Sequence, residues 1–157
     1  MAHYQRIFAS LDGGSTQEAV ARRALSLAHD NHAEVLFGHV IDSVPYEANG
    51  IDFAALCEDG KDRIIEALKP LLDRAAVDEC IPNVEVQVRA GRINDTLTES
   101  LIKPYNPDLV ICGVRGLSNL KYAFVGSVST YLIRHMKCDV LVVKPAMTDN
   151  GYTYTIE

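Results

Sequence analysis

Residues 113–129 of this 157-residue chain read GVRGLSNLKYAFVGSVS and space Gly113, Gly116, Gly126 and Ser127 as G-x2-G-x9-G-S. The stretch follows a short apolar run and leads into a segment with helical spacing. Gly113 and Gly116 bracket a tight turn, where backbone without side chains lets a ligand come close. Gly126 and Ser127 open a helix, whose first N–H groups lack helical acceptors and whose dipole favours negative charge. A phosphate chain suits that chemistry. The same residues would also serve simply to turn the chain and cap the helix, and spacing alone does not separate the two.

The second candidate is Asp12, which directly follows the apolar run 7–11 and precedes Gly13 and Gly14. Its carboxylate only accepts hydrogen bonds, so it suits a ribose hydroxyl or an adenine amino group, or a phosphate-bound Mg²⁺ reached through water. The alternative is an Asx turn at a helix start.

The elements that must position these residues are legible from periodicity. Continuous apolar runs at 7–11, 35–41, 109–112 and 140–143 read as strands buried on both faces. Val84, Val86 and Val88 alternate with polar residues, the pattern of a half-exposed strand. Between the strands lie helical segments at 16–29, 53–76, 95–104 and 127–136. Ser15 and Glu18 suggest a capping box for the first, and Pro70 should kink or split the second, a kink being favoured. This βαβαβαβαβ order predicts one α/β, doubly wound, Rossmann-like domain over residues 1–145, a five-stranded parallel sheet with helices on both faces and right-handed crossovers. Several strand orders are possible. The order 3-2-1-4-5 puts the half-exposed third strand at an edge and reverses the winding between strands one and four, where Asp12 would face Gly113 across a crevice. Residues 146–157 read as a polar tail with a weak strand signal at 152–156.

Composition limits the function classes. Apolar residues make up 48% and charged residues 23%, with ten glycines and six prolines, values of an ordinary globular domain. The formal charge of -6 repels nucleic acid and anionic membranes. Cys57, Cys80, Cys112 and Cys138 lie far apart with no C-x-x-C pair, which resembles neither a disulfide framework nor a zinc site and fits a reducing compartment. No membrane span or secretory signal is visible, so a cytoplasmic location is expected.

Other motifs are weaker. Neither a G-x4-G-K-[S/T] phosphate loop, nor G-x-G-x-x-G, nor H-E-x-x-H occurs. His29 and His32 lack a third ligand nearby in sequence and read as helix-terminus residues. His39 reads as a satisfied core or cleft histidine, and Cys112 as an inert buried thiol.

Together with ASLDGGS at the first strand end and FGHVID at the second, the glycine spacing resembles the ATP-binding type of the universal stress protein family over nearly the whole chain. The resemblance implies adenine near Asp12 and the backbone of Val40, and phosphates on Gly113, Arg115, Gly116, Gly126, Ser127, Val128 and Ser129, with Ser10 and Leu11 lining the cleft. It implies Mg²⁺ carried by the ATP phosphates, with no direct side-chain ligand. Val114 departs from the Ser or Thr often found after the first glycine, which removes one hydroxyl from the site. The expected function is a cytoplasmic ATP-binding protein with a regulatory or protective role in stress. The alternatives are a slow ATPase or phosphotransfer enzyme on the same site, and a nucleotide-free interaction protein, against which the intact motif argues. The fifth strand, Val140, Leu141, Val142 and Val143, would be an apolar edge with only Lys144 and Pro145 as protection, and is expected to pair with a second copy in a homodimer.

Overall fold

The computed structural model describes residues 3–14, 16–46, 50–114, 126–144, 146–148 and 151–153. Five strands, β1 (Arg6–Ser10), β2 (Glu34–Asp42), β3 (Val84–Gly91), β4 (Leu109–Gly113) and β5 (Asp139–Val143), form a parallel sheet of order β3-β2-β1-β4-β5. The expected order 3-2-1-4-5 is therefore the observed one. β3 is an edge, and its alternating exposure follows from having one covered face.

Helices α1 (Gln17–Asn31), α2 (Phe53–Ala67), α3 (Lys69–Ala76), α4 (Ile93–Thr96), α5 (Lys103–Tyr105) and α6 (Ser127–His135) surround the sheet. Two apolar layers result. One packs β1, β2 and β4 residues such as Ile7, Ala9, Phe37 and Ile111 against Val20 and Ala24 of α1 and Ile64 and Leu71 of α2 and α3. The other packs Phe8, Leu36 and Val110 against Leu101 and Leu132. Alanines 21, 24 and 28 are fully buried along α1, so this helix lies close on the sheet.

The structure corrects several details. The long second helix is split at Leu68, which caps the end of α2 and the start of α3. The Leu68 N–H still donates to Ile64 and its carbonyl still accepts from Leu72, both at 2.9 Å. Pro70 sits in the first turn of α3, where its missing N–H costs nothing. α1 is capped by Thr16 without a side-chain bond, and Glu18 pairs with Arg22 at 2.7 Å; Ser15, the other half of the expected capping box, lies outside the described residues. The segment after β3 is helical from Ile93 to Tyr105, but residues 97–102 are wound as a π-helix joining α4 to α5. β5 is not buried on both faces: Val140, Leu141 and Val142 are only half-buried, as an edge strand requires. In the tail, β6 (Ala146–Thr148) and β7 (Gly151–Thr153) pair antiparallel as a hairpin separate from the main sheet. β7 covers the start of the strand signal expected at 152–156, and residues 154–156 lie outside the described residues. Among the described residues, no helix is long and apolar enough to cross a membrane.

Candidate functional site

β1 and β4 are neighbours, and the chain leaves them toward helices that begin at the carboxyl ends of the strands, so a crevice must open there. A cleft of about 190 Å³ occupies it. Nine of the residues expected at the site line it: Ser10, Leu11, Asp12, Val40, Gly113, Gly126, Ser127, Val128 and Ser129. Arg115 and Gly116 lie outside the described residues.

On the β1 side the Leu11 N–H donates to the Gly38 carbonyl at 2.8 Å, holding the strand end against β2. Asp12 is exposed, and its Oδ1 accepts the Gly14 N–H at 2.8 Å. The Asx turn is thus real, and it leaves the rest of the carboxylate at the cleft. Gly13 follows with φ +74°, a left-handed conformation that side chains resist. His39 is a cleft residue. Its Nδ1 lies 2.8 Å from the Leu11 carbonyl, which can only accept, so Nδ1 carries the proton and Nε2 is left as an acceptor when the ring is neutral.

On the β4 side, α6 starts at Gly126, which has no side-chain cap. The first helical bond runs from the Thr130 N–H to the Gly126 carbonyl at 3.0 Å, so the N–H groups of Ser127, Val128 and Ser129 all precede the ladder. The Ser127 side chain is exposed, whereas Ser129 is buried. The Ser129 hydroxyl donates to the Gly113 carbonyl at 2.9 Å, so it fastens α6 to β4. Gly113 has a packing reason to be glycine: a Cβ there would stand 2.8 Å from Thr16 Oγ1 and 3.1 Å from Val20 Cγ2 of the α1 layer. Cys112 is buried beside it, and burial pushes its thiol up from the ordinary value.

Two cleft residues escaped the sequence reading, Ile93 and Leu97. They come from α4 and the π-helical segment. Ile93 is 36% exposed, and the signal for it was an isolated apolar residue among Arg92, Asn94 and Asp95 just after a strand-ending glycine. With Leu11 and Val40 they give the cleft an apolar wall facing the N–H groups of α6. Such a pairing suits a ligand with a flat, weakly polar part and an anionic part. Asp12 is the one carboxylate among the described lining residues.

The family model described as universal stress protein matches residues 3–144. A universal stress protein of Staphylococcus saprophyticus is 31% identical over 144 residues, covering 92% of this chain and 86% of that protein. A relative from Staphylococcus aureus strain USA300 matches equally, at 31% over 144 residues. Among solved structures, UspA from Lactobacillus plantarum aligns with a TM-score of 0.74 at 21% identity, covering 91% of this chain and 99% of that one. A universal stress protein crystallised in complex with cAMP aligns with a TM-score of 0.60 at 22% identity, covering 91% and 98%.

Proposed function

The chain belongs to the universal stress protein family, and within it we propose that this member binds an adenine nucleotide, ATP with Mg²⁺, in the cleft between β1 and β4. The observation that carries the reading is the meeting of an apolar wall, the Asp12 carboxylate and the unladdered N–H groups of α6 around one cleft. The base would lie against Leu11, Val40 and Ile93, with Asp12 and the Val40 backbone reading its polar edge. Phosphates would take the N–H groups of Ser127, Val128 and Ser129 and the Ser127 hydroxyl, helped by Arg115 and Gly116. The complex of a relative with cAMP supports an adenine ligand. The role is regulatory or protective, performed in the cytoplasm by loaded and empty states, with a homodimer through β5.

Dedicated phosphate chemistry fits less well. A hydrolase must orient an attacking water, and the cleft's carboxylate and imidazole both belong to the β1–β2 side, away from α6. Each already has one acceptor or donor atom committed to the backbone. Phosphate release should therefore stay far below the ~1 to 1,000 per second of dedicated enzymes.

The chain has no tryptophan, so co-purified adenine would dominate its ultraviolet absorbance. Freshly purified protein should show a nucleotide-shaped spectrum, and chromatography of the acid-released ligand should give an adenine nucleotide. A protein that carries none, and that takes up none when ATP and Mg²⁺ are added, would overturn the proposal.

A further inference from the structure

α1 is 15 residues long, so its last turn lies about 22 Å along the helix axis from its first, at the end of the sheet where the strands begin. There His29, in its last turn, meets the turn between α3 and β3. His29 Nδ1 is 2.7 Å from Asp78 Oδ2. Asp78 uses its other oxygen, Oδ1, to accept the Cys80 N–H at 2.9 Å, and the turn is closed by the Ile81 N–H on the Asp78 carbonyl at 3.2 Å. One donor atom each of His29, Asp78 and Cys80 lies within 4.8 Å of the others. None of the three is sealed in: the His29 side chain is 53% exposed and that of Asp78 23%. A neighbouring cavity of about 450 Å³ gives access to the imidazole and the carboxylate.

We propose that His29, Asp78 and Cys80 form a binding site for a divalent transition metal, with Zn²⁺ the ion the donors suit best and one coordination position left to water. An imidazole, a carboxylate and a thiol make a mixed N/O/S set. Magnesium and calcium prefer oxygen alone, whereas zinc takes all three donors in tetrahedral geometry. Binding exchanges protons for metal: the Cys80 thiol loses its proton to solvent, and His29 Nδ1 gives up the proton it shares with Asp78, released to solvent from the imidazolium or, from the neutral ring, exchanged for one taken up at Nε2, so that a neutral imidazole meets the ion. The 2.7 Å contact then opens until both atoms reach the ion, a small movement for two side chains at the surface. The Cys80 N–H keeps hold of Asp78 Oδ1 and so orients the carboxylate from behind.

The surrounding charge is mixed. Asp30 and Glu79 add negative field at the cluster. Arg22 and Arg74 line the neighbouring cavity, but Arg22 is engaged by Glu18 at 2.7 Å. The consequence of loading is mechanical. A metal here would clasp the end of α1 to the entry of β3, two parts of the chain joined at this point by one exposed ion pair. Spacing could not have shown this, because His29 and Asp78 are 49 residues apart and only the packing of α1 on α3 brings them together.

The test uses the full chain, reduced and stripped with a chelator, and titrated with Co²⁺ and then Zn²⁺. The parent should develop thiolate-to-cobalt charge-transfer absorption that saturates at one equivalent and disappears on adding Zn²⁺. Cys80→Ser should abolish the absorption, and Cys80→Ser and Asp78→Asn should each weaken Zn²⁺ binding at least about a hundredfold, more than the loss of an outer-shell partner does. Zn²⁺ at a hundredfold excess over its Kd should raise the parent's Tm by roughly 5 to 10 °C and leave that of Cys80→Ser unmoved. Absence of absorption in the folded parent would make His29 and Asp78 an ion pair only. Equal absorption in Cys80→Ser would put the metal on Cys57, Cys112 or Cys138. Either result overturns the proposal.

Discussion

Ser129 reaches from the first turn of α6 to the last residue of β4, where its hydroxyl donates to the Gly113 carbonyl at 2.9 Å. Two residues away, Ser127 makes no such tie and stands exposed at the cleft. The two serines of one motif therefore do different work. Ser129→Ala takes this donor from the half-buried Gly113 carbonyl, costing about 0.5 to 1.5 kcal/mol and lowering Tm by roughly 1 to 6 °C. Ser127→Ala should leave the melting curve in place and weaken ATP binding about ten- to a hundredfold, the worth of a hydrogen bond to a charged group. Thermal unfolding and calorimetric titration of both variants check the pair.

Asp12 combines a turn with a cleft carboxylate, and two substitutions separate them. Asp12→Asn keeps an oxygen to accept the Gly14 N–H, so its Tm should stay within about 2 °C of the parent, as for an ordinary surface change. ATP affinity should still fall about tenfold or more, because the acceptor-only group is gone. Asp12→Ala should lose both stability and affinity. An Asn variant that binds like the parent would leave Asp12 a turn residue and nothing more.

The strands and helices were legible because each rests on local periodicity, and the alternation Val84, Val86, Val88, which marks an edge, favoured one strand order among several. The cleft was legible because strand order dictates where it opens. What escaped depends on contacts between distant segments. Nothing near Ser129 in sequence says that its hydroxyl is satisfied by Gly113, and the glycine at 113 is explained by Thr16 and Val20 of another element. The π-helical winding that begins at Leu97 breaks the 3.6-residue period on which the helix expectation rested. The tail hairpin needed pairing between two three-residue segments, too short for periodicity to register.

Tyr4 supplies a pH-dependent tie between the start of the chain and β5. Its hydroxyl donates to Asp139 Oδ2 at 2.6 Å, and this hydrogen bond, with a smaller contribution from burial, raises the phenol above its ordinary value. Because the folded-state value is the higher one, the tie contributes fully below the unfolded value of about 10 and is lost as pH rises through the folded one. Tyr4→Phe should therefore melt below the parent near neutrality, and the two curves should converge in strong alkali. A gap that persists after the phenol has ionised would assign the effect to packing.

The dimer proposed through β5 has a definite weak point. The Val143 carbonyl accepts the Val114 N–H at 3.1 Å, so Val143 turns its backbone groups toward β4 and Val142, one residue earlier, turns its own outward. Val142→Pro removes an outward donor without touching the β4 ladder. Light scattering should report a dimer for the parent and a monomer near 17.3 kDa for the variant, with an unchanged circular dichroism spectrum. A folded variant that remains dimeric would place the interface elsewhere.

In the proposed site the start of α6 holds the phosphates of the nucleotide, and Gly126 is where a side chain would intrude. Its backbone, at φ -77° and ψ 178°, is extended and open to any residue, so Gly126→Val should fold. Calorimetric titration of ATP with Mg²⁺ into nucleotide-stripped parent should give one site per chain, and into folded Gly126→Val no measurable heat of binding. Equal affinity in the two proteins would contradict the account.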